Sequence, residues 1–183
     1  MIEPETGALL IADPFLKDPH FMRTVVFLCE HRSEGSFGFV LNKRLDITLG
    51  QIVPELETCK LPVFYGGPVQ NDTLHFLHSY PNLLNGSIEV TDNVYWGGDF
   101  ETLTDMIRNG SIDITKIRFY LGYSGWGEGQ LASEMETHSW LTVKARKNIV
   151  FMPEPENIWP EALRAMGGEY AQLINYPIDP QLN

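Results

Sequence analysis

The chain has 183 residues, 43% hydrophobic and 20% charged, a globular composition that excludes disordered, collagen-like and membrane-embedded classes. Its formal net charge of −11 extends over all three thirds of the sequence, so direct nucleic-acid binding, which needs Lys and Arg to neutralise phosphates, is not expected. Cys29 and Cys59 lack the close spacing of a zinc pair or a redox dithiol, and no stretch approaches the ~20 apolar residues of a spanning helix, so no metal, cofactor or membrane is expected and the compartment reads as cytoplasmic.

Ala8–Ala12 and Thr24–Cys29 are short apolar runs bounded by Pro14, Asp18-Pro19 and the Glu30–Gly35 turn cluster, which predicts two buried strands. Phe37–Asn42 continues the pattern across the Gly35-Ser36 punctuation, predicting an antiparallel hairpin with Glu30-His31 and Asn42-Lys43 near its opposite ends. Thr48 with Gln51 three residues on has capping-box form and predicts a short helix, which Pro54 kinks or limits. Strands follow at Pro62–Tyr65, Thr73–Ser79 and Ser87–Thr91, the first two separated by the turn Gly66-Gly67-Pro68.

Asp99 is placed to cap a helix carrying Phe100, Leu103, Met106 and Ile107 on one face, with Gly110 as its stop. A strand is predicted over Lys116–Tyr123, then a glycine loop, a helix over Gly129–Thr137, and strands at Trp140–Val143 and Ile149–Met152. Asn157 is placed to cap a last helix reaching Met166, ended by Gly167-Gly168, with a loosely held tail after Pro177 and Pro180. Early strands run consecutively and helices alternate only later, so the pattern predicts an α+β fold with a mixed sheet in a single compact domain.

Four glycines within eight residues, Gly122, Gly125, Gly127 and Gly129, mark the most informative stretch, because such density implies positive φ or close backbone approach. The spacing fits neither the dinucleotide fingerprint nor a P-loop, and Glu128 opposes phosphate. A loop shaped by packing, or by a neutral or peptide partner, is the reading adopted. Ser124 misses the nucleophile-elbow pattern, since Trp126 stands where its second glycine belongs, and is read as structural. His75 and His78, three apart in a strand, fall on opposite faces and do not share a metal. Trp126, bracketed by glycines, is the tryptophan read as able to stack on a ligand.

The set GALLIADPFLKDPHFMRTVVFLCEH, GFVLNK, YGGPV, LGYSGWGEGQLASE and IWPEAL resembles the AlgH/YqgE family of bacterial proteins along nearly the whole chain, residues 80–115 matching loosely. The resemblance implies a bent mixed sheet forming a partial barrel with surrounding helices, and a regulatory label, as transcriptional regulator, without an established activity or cofactor. Carried over by position, the motif residues are Glu30, His31, Asn42 and Lys43; Tyr65, Gly66, Gly67 and Pro68; and Gly122, Tyr123, Gly125, Trp126, Gly127, Gly129, Gln130 and Glu134. They are expected to converge on one cleft that holds a small polar ligand or a protein segment, Trp126 forming an apolar wall. The competing reading is a hydrolase or transferase with His31 as base, Glu30 or Glu134 orienting it, and loop amides stabilising an anion.

Overall fold

The computed structural model describes residues 1–177, so residues 178–183 of the expected tail lie outside the described residues. β1 (Ala8–Ala12) is buried at every position, with Leu9 and Ile11 in one core and Ala8, Leu10 and Ala12 in another. Unbroken apolarity here reflects a strand covered on both faces. β2 (Val25–Arg32) and β3 (Gly35–Val40) form the expected hairpin, longer than its apolar runs, because Glu30, His31 and Arg32 continue the ladder opposite Phe37, Ser36 and Gly35. A bulge lies between Leu28 and Glu30.

β4 (Arg44–Thr48) alternates polar and apolar residues, with Leu45 and Ile47 turned to the third core, and the sequence reading missed it. The capping box at Thr48 forms, Gln51 Oε1 accepting from the Thr48 amide at 2.8 Å, but it opens a 3-10 turn over Leu49–Gln51, followed by a second over Pro54–Leu56. Pro54 brings no amide to continue an α-helix, which corrects the helix expected there. β5 (Pro62–Tyr65), β6 (Val69–His78), β7 (Ile88–Thr91) and β8 (Val94–Trp96) precede α1 (Phe100–Arg108), which Asp99 caps by accepting from the Glu101 amide.

β9 runs from Ile117 to Gly127, four residues beyond the expected end, and α2 (Gln130–Glu136) starts after Gly129, whose φ is 72°. β10 (Trp140–Lys144) follows. The strand expected over Ile149–Met152 is instead α3 (Lys147–Val150). Ile149 and Val150 join a core with Ile158, Trp159 and Leu163 of α4 (Ile158–Met166), so packing decides a run too short to show a period. Asn157 precedes α4 but makes no side-chain cap bond.

The strands form one curled, mixed sheet in the order β10-β1-β2-β3-β9-β6-β8-β7, with β5 parallel to β9 and β4 antiparallel to β5. The partial barrel is the α+β architecture expected. One core lies under α3 and α4, a second carries Trp126, Leu131 and Trp140 beside α2, and a third packs Leu103 of α1 on Val63, Phe76 and Phe119. No helix among the described residues is long and apolar enough to cross a membrane.

Candidate functional site

β9 changes partners halfway. Up to Leu121 it pairs with β5, and from Ser124 with β3. Gly122, at φ 70°, makes the corner, and the chain leaving β5 crosses it there: the Gly66 amide donates to Leu121 O, while Gly66 O accepts from the Val40 amide and from Ser124 Oγ. A β-carbon on Gly122 would lie 2.5 Å from Gly67 O, and β-carbons on Gly66 or Gly67 would come inside the 3.0 Å that real β-carbons keep from the backbone of Gly122, Tyr123 and Ser124. What rests against the glycine stretch is therefore the Tyr65-Gly66-Gly67-Pro68 turn of the same chain. Gly125 and Gly127 pair with Phe37 and Gly35 as ordinary strand residues, so the expected loop of free amides is absent.

An open cleft of about 730 Å³ lies where β3, β6, β8 and β9 meet. Its walls include Phe37, Val69, His75, Trp96 and Tyr123, its β9 edge includes Gly125, Trp126 and Gly127, and Glu30, Arg32 and Glu34 stand at the hairpin end. Phe37 meets Trp96 edge-on with centroids 4.8 Å apart, and meets Tyr123 edge-on at 6.1 Å. Arg32 pairs with Glu30 at 3.0 Å. Glu34 is held below the usual carboxylate range by its own amide, then by Ser33 and Arg32.

Adjacent strand residues face opposite ways, and this divides the expected site. Glu30 sits opposite Phe37 and Gly125 on the cleft side, whereas His31, Ser36 and Trp126 form a row across three strands on the other. His31 Nδ1 lies 2.6 Å from Ser36 Oγ. The Trp126 indole is only 5% exposed and packs on Phe21 and Trp140 in the second core, so its ring is not the ligand wall expected and only its strand edge borders the cleft. Glu134 Oε2 accepts from the indoles of Trp126 at 2.9 Å and Trp140 at 2.7 Å, and Oε1 accepts from Gln130 at 3.2 Å. Gln130 Oε1 also takes the Gly127 amide. Both residues lock α2 to β9 and β10.

Asn42 and Lys43 lie at the far end of the hairpin. Asn42 Oδ1 accepts from the Val25 amide and its amide group donates to Arg23 O. Lys43 Nζ donates to Pro19 O and His20 O and lies 5.9 Å from the Tyr65 ring centre, while Tyr65 Oη is 3.2 Å from His20 Nδ1. Partial burial pulls the Lys43 ammonium below its usual range, opposed by Asp18. Together these side chains pin the 13–23 segment to the sheet.

The sequence reading missed Phe37, Val69, His75 and Trp96. Their one local signal was the Trp96-Gly97-Gly98 echo of Tyr65-Gly66-Gly67, too short to interpret. His75 and His78 do occupy opposite faces of β6, His75 pairing with Tyr120 toward the cleft and His78 turned to Gly97 O at 2.9 Å. Burial lowers both imidazoles from their ordinary 6.5, a Gly97 hydrogen bond opposing it in His78. Because the folded state disfavours the proton, their contribution to stability is complete above pH ~6.5 and is lost as pH falls toward the depressed values. Melting temperature is expected to drop between pH 7 and 5, and less steeply in His75→Phe; a parallel decline in both proteins counts against His75.

Residues 9–171 match the family model described as AlgH-like. A UPF0301 protein of Cytophaga hutchinsonii is 46% identical over 178 residues, covering 97% of this chain and 98% of that protein. One from Chlorobium limicola is 43% identical over 177 residues, covering 97% and 95%. The solution structure of the AlgH protein of Pseudomonas aeruginosa has a TM-score of 0.76 at 28% identity, covering 98% of this chain and 100% of that one. A crystal structure of a Corynebacterium diphtheriae protein shares the fold, with a TM-score of 0.81 at 21% identity over 96% and 94%. With nearly its full length matched in sequence and in fold, this chain belongs to the AlgH-like family.

Proposed function

We propose that this is a cytoplasmic, non-catalytic binding protein, regulatory through what it holds, whose ligand is a small polar-headed molecule or a protein segment seated between β3, β6, β8 and β9. The observation that carries this reading is the cleft itself: about 730 Å³, aromatic on its walls and charged at its mouth, as ligand sites commonly are. Both cysteines are free, which agrees with a reducing compartment. The net charge of −11 favours an occupant other than nucleic acid, so regulation would act through a partner or metabolite.

The His31–Ser36 approach of 2.6 Å favours a second reading, a hydrolase or transferase with His31 as base. Its supporting groups are engaged elsewhere. Glu30 is paired with Arg32 on the cleft side, and Glu134 is taken by two indoles and Gln130. The β9 amides that an anion would need lie within a paired strand.

A thermal-shift screen of metabolites and nucleotides tests the binding reading, since a ligand selective for the native state adds about 2.7 kcal/mol at a hundredfold excess over its Kd, a rise of roughly 5–10 °C. Trp96→Ala is expected to lose most of that rise and His31→Ala to keep it. A rise kept in Trp96→Ala and lost in His31→Ala would move the site to the other face. Trp126→Ala would remove core packing and so would not report on binding.

A further inference from the structure

We propose that the cleft is an aromatic cage for an organic cation, a methylated or quaternary ammonium group, which rests on the cleft being the binding site. The planes of its rings cross. Phe37 lies at 63° to Trp96 and 80° to Tyr123, and His75 lies at 85° to Tyr123 but only 36° to Trp96, all with centroids within 6.4 Å of a neighbour. A flat neutral ligand can stack on one such plane, whereas a compact cation meets the negative faces of several at once.

Charge at the mouth points the same way. One guanidinium, Arg32, pairs with Glu30 and also acts on Glu34, so the three side chains sum to one negative charge. An anionic ligand would meet two carboxylates against a single guanidinium that they already share. His75, lowered by burial, is neutral at pH 7 and adds a ring without adding repulsion. Its Nε2 is buried and has no hydrogen-bond partner among the described residues, so that nitrogen has no bond that would favour its protonation.

Titration calorimetry of the full chain with choline and with 3,3-dimethyl-1-butanol, its uncharged isostere, separates charge from shape. Choline is expected to bind at least about tenfold more tightly than the alcohol. Glu34→Gln, on the exposed hairpin turn, is expected to weaken choline about threefold and leave the alcohol unchanged. Trp96→Leu is expected to abolish the preference and Trp96→Phe to keep most of it, circular dichroism verifying that both fold. Equal affinities, or no saturable choline signal at millimolar concentrations, overturn the cage. The two readings fail separately: a neutral ligand from the metabolite screen that needs Trp96 would leave the cleft as the binding site and remove only the cation.

Discussion

Replacing Gly67 with alanine is expected to destabilise the protein by about 4 kcal/mol or more, while Gly127→Ala changes stability by less than about 1 kcal/mol. The two residues belong to similar glycine-rich motifs and differ in their surroundings. A β-carbon on Gly67 would enter the peptide between Tyr123 and Ser124, backbone held in the β9 ladder, whereas one on Gly127 meets nothing within 4 Å. Relief would require pulling β5 away from β9 and breaking the bonds that Gly66 makes to Leu121, Val40 and Ser124. Urea unfolding of both variants measures the contrast. Equal, small effects would mean that the crossing is looser than this packing implies.

Glu134→Ala is expected to cost about 3 kcal/mol, a large effect for a partly exposed side chain on a seven-residue helix. Its carboxylate is the shared acceptor for two buried indoles, and each N–H left unpaired away from water costs about 1–3 kcal/mol. Trp126 and Trp140 come from strands four places apart in the sheet order, yet their rings lie 6.1 Å apart, so Glu134 also ties the curl of the sheet together. Glu134→Gln keeps an oxygen able to accept both bonds and is expected to cost about 1 kcal/mol. Urea unfolding followed by tryptophan fluorescence distinguishes them; an alanine variant as stable as the glutamine one would show that water satisfies the indoles.

Elements whose residues carry their own pattern were readable in advance. β1 announced its double burial as ALLIA, the β2–β3 hairpin lay between apolar runs, and Asp99 and Gly110 bracketed α1. The continuation of β9 through Gly127 was not, because extended glycines look like a loop until β3 is seen to pair with them. Of the four glycines, close approach holds at Gly122, where the approaching body is Gly66-Gly67 rather than a ligand, while Gly129 supplies a positive φ and Gly125 and Gly127 show neither.

The cleft was hidden for a different reason. Phe37, His75, Trp96 and Tyr123 come from four strands, and nothing local to any of them encodes that meeting. Strand alternation, which separated His75 from His78, also separates Glu30 from His31, and the expectation of one shared cleft overlooked it. Trp126 showed how composition misleads: flanking glycines suggested access, while the indole turned into the core toward Glu134.

An amide chemical-shift map taken while titrating the strongest ligand from the metabolite screen decides which face of the sheet binds it. The largest changes are expected to centre on Glu34–Phe37, Val69, His75, Trp96 and Tyr123–Gly127, the borders of the aromatic cleft. Changes centred instead on His31, Ser33 and Gly129–Ala132, the rim of the smaller pocket on the opposite face, would contradict binding in that cleft.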